Sequence, residues 1–233
     1  DADAFYSRYR DWEHGKQDID LWVGAIQTED ASPLTVTKSG KTVDCALVYA
    51  EGWLAYVDTQ GLRVFKDEDW SDALADWAKT YLDPIKAQNL SEAEQFAEIA
   101  RILKATTDYD HKSPTYTKGS DDFLTVHSMY GPITDGRGVC DGYSYTVQFA
   151  ASYLGLKAFE VYGPNHAWNK VCVDGEWYVL DMANIDNDVW MARNWFLISD
   201  QLACELDDDA DWFRTLYPCD EIHPQRDALA ARL

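Results

Sequence analysis

The sequence predicts an α+β fold in which a helix carrying a cysteine packs on an antiparallel sheet carrying a histidine and an aspartate. Three observations lead there. After Cys140, the residues Tyr143, Val147, Ala150, Ala151 and Leu154 recur at three- and four-residue spacing, the period of an amphipathic helix. Residues 166–173 and 176–182 read as two strands around Asp174-Gly175, a strong two-residue hairpin signal. Both faces of that hairpin are rich in apolar side chains, Trp168, Cys172, Trp177 and Val179 on one and Val171, Tyr178, Leu180 and Met182 on the other, which implies a sheet covered on both sides, by the helix on one.

Taken in order, residues 3–12 form a short aromatic-rich piece with helical character. Strand patterns then occupy 19–26, 34–37, 43–49, 53–57 and 62–65, punctuated by Ser39-Gly40, Glu51-Gly52 and Gln60-Gly61. Helical period takes over at Ser71, with Leu74, Trp77, Ala78, Tyr81 and Leu82 on one face and Pro84 beyond the end. Ser91-Glu92-Ala93-Glu94 is a capping box, and Phe96, Ile99, Ala100 and Leu103 continue its apolar stripe. Residues 106–122 are polar and rich in turn formers, so they read as a loop. A short helix over 123–130 leads to the glycines around Cys140, and 194–199 reads as a last strand. The boundaries drawn are an N-terminal β-rich extension ending in a helix, residues 1–88, and a second unit, residues 89–233.

Cys140 stands where a helix begins. Unpaired N–H groups and the positive end of the helix dipole favour a thiolate there, and the same N–H groups can hold an oxyanion. Gly136, Gly138 and Gly142 let the backbone turn sharply, and Gly155 ends the helix. In the hairpin, Val173 pairs with Glu176, which puts Trp168 opposite Asp181 and His166 opposite Ala183. Side chains alternate with period two, so His166, Trp168 and Asp181 share a face. His166 and Asp181 become diagonal neighbours roughly 7–8 Å apart at the backbone, close enough for a carboxylate to reach an imidazole. A thiol at a helix start, with a histidine and an aspartate on one sheet face, is the equipment of nucleophilic acyl chemistry.

Gly138-Val139-Cys140-Asp141-Gly142-Tyr143, His166-Ala167-Trp168-Asn169 and Gly175-Glu176-Trp177-Tyr178-Val179-Leu180-Asp181 together resemble the core of the transglutaminase-like (papain-fold) superfamily, especially its bacterial members. Tyr109-Asp110 and the run 128–131 are similar to those members too. The resemblance implies a papain-like core, with Cys140 as nucleophile, His166 as general base and acid, and Asp181 as the group that orients His166. Tyr130 is a candidate oxyanion donor by position, and Trp168 and Asn169 are candidate cleft residues. The implied activity is thiol-dependent attack on a peptide or glutamine amide, with hydrolysis favoured. A transglutaminase with an amine acceptor and a non-catalytic peptide or cell-wall binding module are the alternatives. No cofactor is implied, and the partner is a peptide or protein substrate.

Acidic residues number 41 against 20 basic, a formal charge of −21, which repels nucleic acid phosphates and anionic lipid. Aromatic residues make up 14%, ten of them tryptophan, suiting a dense core with an aromatic-lined cleft. No apolar run has the length of a membrane span. Asp181, Asp186 and Asp188, like Asp207, Asp209 and Asp211, lack the glycine and bidentate glutamate of a calcium loop, so no metal is expected. His111 and His127 read as surface or core histidines. Of the five cysteines, Cys45 and Cys172 sit in strand patterns, and Cys204 and Cys219 leave a pairing open. The chain opens on Asp1 rather than methionine, from which an exported or envelope-associated protein is expected.

Overall fold

A computed structural model describes residues 21–26, 36–38, 41–43, 45–50, 53–58, 61–66, 69–162, 166–187, 194–207 and 217–233. The aromatic piece at 3–12 lies outside them. Among the described residues, six strands precede residue 69: β1 (Leu21–Ile26), β2 (Val36–Lys38), β3 (Lys41–Val43), β4 (Cys45–Ala50), β5 (Trp53–Asp58) and β6 (Gly61–Lys66). They form an antiparallel sheet of order β1-β4-β5-β6 and a separate β2–β3 hairpin. The hairpin pairs Lys38 with Lys41 and adds one strand, β3, to those expected.

Helix α1 (Asp69–Trp77) does not stop before Pro84. It widens into a π-helical turn over Ala78–Leu82 and resumes as α2 (Asp83–Lys86), with Pro84 in the first turn. A proline needs no N–H partner in a first turn, so the interruption accommodates it. Trp77, Leu82 and Ile85 from this segment join the same buried cluster as Val147 and Phe96. α3 (Glu92–Thr106) opens with the expected capping box, in which Ser91 N–H donates to Glu94 Oε2 (2.9 Å) and Glu94 N–H to Ser91 Oγ (3.3 Å).

The stretch 106–122 is not only a loop. β7 (Asp108–Tyr109) pairs in parallel with β8 (Arg137–Gly138), and a 3₁₀ turn covers Ser113–Thr115. Arg137 fastens this segment, donating to Asp110 Oδ2 (3.1 Å), Tyr116 Oη (3.1 Å) and Asp122 Oδ1 (3.0 Å). α4 (Asp121–Val126) is shorter than the helix expected over 123–130, because His127 caps it and a π-helical turn follows over Gly131–Asp135.

α5 (Cys140–Leu154) was expected to be amphipathic, yet it is buried on nearly every face. It packs on the second sheet and against α3 and α6 (Met182–Asn187). Its polar residues are satisfied within the core: Ser144 Oγ donates to the Cys140 carbonyl (2.9 Å), Thr146 Oγ1 to that of Gly142 (2.8 Å), and Gln148 Oε1 accepts from Glu160 N–H (3.1 Å). Gly155 ends the helix at φ +82°, and Leu156 N–H closes back on the Ala151 carbonyl (2.8 Å).

The second sheet is antiparallel, in the order β12 (Phe196–Ile198), β11 (Glu176–Leu180), β10 (Ala167–Val173), β9 (Lys157–Tyr162). Val173 pairs with Glu176 and Asn169 with Leu180, the register expected from the turn. Asp174 and Gly175 both take positive φ (52° and 93°), as a two-residue hairpin of this hand requires. Pairing ends sooner than expected. Met182 and Ala183 enter α6, so His166 has no strand partner at Ala183.

Both faces of the sheet are covered. Asn169 Nδ2 reaches the Ser144 carbonyl on α5 (3.0 Å), whereas Lys170 Nζ turns to Asp200 at the start of α7 (Asp200–Leu206), 3.0 Å from Oδ1. Asp200 also accepts the Cys219 N–H (2.8 Å), and α8 (Arg226–Ala230) closes the chain with Leu229 and Ala230 buried. No disulfide joins Cys204 to Cys219. Among the described residues, no helix is long and apolar enough to cross a membrane.

Candidate active site

The site is assembled where α5 begins and β10 and β11 meet their ends. Val139 N–H donates to the Val126 carbonyl (3.0 Å), which binds the start of α5 to the end of α4. Gly142 makes that approach possible. A Cβ there would fall on the Val126 carbonyl oxygen and lie 3.1 Å from that of Ser128, and neither backbone atom can move aside cheaply. Gly142→Ala is therefore expected to push the first turn of α5 off α4, costing about 1–3 kcal/mol and slowing thiol labelling at Cys140. Urea unfolding and site-resolved alkylation check this.

His166 stands one residue before β10, and its Nε2 lies 2.6 Å from Asp181 Oδ2. The Cys140 thiol lies near enough to His166 to act on the imidazole's proton affinity. With Nε2 committed to Asp181, Nδ1 is the nitrogen left for sulfur. Asp181 closes β11, is 1% exposed, and accepts from Asn184 as well, through its N–H (3.0 Å to Oδ1) and Nδ2 (2.8 Å to Oδ2). The turn into α6 thus supplies the donors that hold the carboxylate. Trp168 is buried, with its ring along His166 at 5.9 Å and 22°. The structure brings Cys140, His166, Asp181 and Trp168 together.

It does not bring Asn169 to a cleft. That side chain is 0% exposed, and its amide bonds the Ser144 carbonyl, because alternation along β10 turns it under α5. Tyr130 is half-buried at the head of the 131–135 turn, where its carbonyl accepts from Thr134 Oγ1 (2.7 Å).

Burial of the His166 ring depresses its pKa. The Asp181 charge, the hydrogen bond to that carboxylate and the Cys140 thiol outweigh burial, so the imidazole is held well above its ordinary value. A histidine raised in the folded state binds protons the unfolded chain has released. Its stabilisation is complete below the unfolded value of about 6.5 and is lost as pH rises through the folded one. In a Cys140→Ala background, which removes the thiol's own titration, stability should fall with pH above about 6.5, with a slope of up to about 1.4 kcal/mol per pH unit. The same background with Asp181→Asn should lack that slope in unfolding curves taken across pH.

One member was missed in the sequence. Tyr109 pairs with Gly138 across the β7–β8 bridge, and its ring stacks on Tyr143 of α5 at 6.4 Å and 10°. Burial, followed by the charges of Cys140, Asp141 and Asp181, pushes its phenol far up, which keeps it a neutral O–H donor. The available signal was the Tyr109-Asp110 pair, but a two-residue strand in a polar stretch has no periodicity to reveal which way it faces. Among the described residues, no group of three histidine, cysteine or carboxylate side chains is gathered as a metal site. Asp186 is instead occupied by the Tyr143 hydroxyl (2.7 Å).

Comparison with protein families matches residues 79–182 to the transglutaminase-like superfamily. Those residues hold a transglutaminase-like core. Cys140, His166 and Asp181 all fall inside it, as does the α+β, papain-like arrangement of α5 on β9 and β10. Among solved structures, one described as a crystal structure of a TGase is 20% identical with a TM-score of 0.41, over 49% of this chain and 31% of that one. The chain thus spans about a third of that protein's length. No curated protein matches. The transglutaminase-like superfamily includes cysteine peptidases and transglutaminases, and cysteine-dependent acyl transfer or hydrolysis is its general chemistry.

Proposed function

We propose that this chain is a cysteine-dependent acyl hydrolase acting on peptide or glutamine amides. The observation that carries the reading is one imidazole 2.6 Å from a buried carboxylate, with its proton affinity also raised by the thiol at a helix start. His166 takes the Cys140 proton at Nδ1, and Asp181 steadies the resulting imidazolium through Nε2. The thiolate then adds to the amide carbon, forming the C–S bond while the carbonyl electrons move to oxygen.

The first turn of α5 suits the oxyanion. Gly142 N–H is taken by the Asp141 side chain and Tyr143 N–H by the Val139 carbonyl. The Cys140 N–H has no partner among the described residues, and it points along the helix start where negative charge is favoured. Tyr109, whose phenol feels the Cys140 charge, offers a neutral hydroxyl to the same site. Collapse of the intermediate breaks the C–N bond, and His166 returns its proton to the departing amine. Water, deprotonated by the same imidazole, resolves the thioester and regenerates the thiol.

The test is a product mass spectrum after incubation with a peptide library, with and without an added primary amine. Hydrolysis predicts acids and shortened peptides in both samples. Amine-linked products would make the chain a transglutaminase, and no acyl adduct at Cys140 with any activated ester or amide would make it a binding module.

A further inference from the structure

Three residues beside the thiol take no part in that reaction. His127, the cap of α4, places Nδ1 2.8 Å from Asp141 Oδ2 and 3.0 Å from Oδ1. Its Nε2 lies 3.3 Å from Ser113 Oγ in the 3₁₀ turn, and its ring packs on Phe123 at 4.1 Å. Asp141 is the residue after Cys140, is 5% exposed, and also accepts the Gly142 N–H at 3.0 Å. One carboxylate thereby joins the first turn of α5, the end of α4 and the 113–115 turn.

That carboxylate stands in an awkward place. It occupies one of the N–H groups whose positive end favours a thiolate, and as a like charge next to the sulfur it opposes ionisation. The other groups gathered here do not offset it: Tyr109 from β7 is a neutral phenol, and Asp181, just after β11, is a further carboxylate whose charge His166 already answers. His127 is the basic side chain that faces Asp141, with Nδ1 2.8 Å from Oδ2. Nδ1 donates to the carboxylate in either protonation state. The Ser113 hydroxyl, able to donate or accept, fits a neutral ring or a charged one.

We propose that His127 is a positioning residue which balances the Asp141 charge, so that a second imidazolium–carboxylate couple lies behind the Cys140–His166 couple and permits thiolate formation. This rests on Cys140 being the nucleophile.

The experiment is site-resolved alkylation of the full chain by iodoacetamide at one neutral pH, together with the ultraviolet absorbance of the thiolate. His127→Asn keeps a neutral donor where Nδ1 was, and should slow labelling of Cys140 about tenfold, the effect of roughly one pKa unit. Asp141→Asn should label at least as fast as the parent. The double variant should return to the Asp141→Asn rate, with thiolate absorbance following the same order. Labelling unchanged by His127→Asn, or slowed equally whether or not Asp141 is substituted, overturns the proposal, since a purely structural contact gives no such rescue. Should His127→Asn fail to fold, His127→Gln carries the same expectations. In the parent, Cys140 labelling no faster than Cys172 overturns the nucleophile reading itself. Fast labelling of Cys140 without the rescue overturns only the role of His127.

Discussion

Asp181→Asn is expected to lower turnover by about 10–10³-fold while leaving substrate affinity nearly unchanged. The asparagine oxygen still accepts from His166 Nε2, so the ring keeps its tautomer, but the imidazolium loses its counter-charge. The corresponding loss in serine enzymes is about 10⁴-fold, and a thiolate–imidazolium pair leans less on the carboxylate. The variant also carries a structural cost. Asp181 accepts from three donors, His166 Nε2, Asn184 N–H and Asn184 Nδ2. An amide has one acceptor atom, so its NH₂ must face an Asn184 donor, a mismatch of about 1–3 kcal/mol. Cys140→Ala, by contrast, should abolish thioester formation without touching the carboxylate. Steady-state kinetics on a substrate found in the library screen, with urea unfolding of each variant, separates the two effects. An Asp181→Asn enzyme as fast as the parent would remove the carboxylate from the mechanism.

The largest effect on stability is expected at the other face of the sheet. Lys170 is 1% exposed, and its ammonium lies 3.0 Å from Asp200 Oδ1 and 3.1 Å from the Tyr217 carbonyl. Asp200 in turn holds Cys219 N–H, so the pair ties the C-terminal segment to β10. Removing one ion takes a charged partner from the other at a site where Lys170 is only 1% exposed. Asp200→Asn should cost about 3–5 kcal/mol in urea unfolding. A Lys170→Met/Asp200→Asn double variant should recover part of that cost, because neither charge of the pair is then buried. A loss below about 1 kcal/mol in the single variant would mean that the ammonium finds water or another acceptor.

Much of this protein is decided by short-range rules and is therefore legible in the chain. Asp174-Gly175 sets the hairpin register because only residues tolerant of positive φ make that turn. The register then fixes which residues stand opposite, from Val173–Glu176 to Asn169–Leu180. The Ser91 capping box, the Gly155 stop and the strands before residue 66 follow from equally local chemistry. Local rules also place a cysteine at a helix start and His166 and Asp181 at the ends of neighbouring strands.

The rest depends on what packs against what. Nothing in the spacing of α5 says that it is buried all round, since that follows from the sheet on one side and α3 and α6 on the other. The end of β11 is another case. Asp181 could have continued the ladder, but Asn184 closes on its carboxylate, and the gain from satisfying a buried acceptor turns the chain into α6. Asn169 and His127 exchanged roles for the same reason. Each lies near the cysteine in the sequence argument, yet alternation buries Asn169 under α5, whereas the contact between α4 and α5 carries His127 to Asp141. The local sequence carries periodicity and turn chemistry because these act over a few residues. The partners of a buried polar group belong to segments distant along the chain, and only folding brings them within 3 Å.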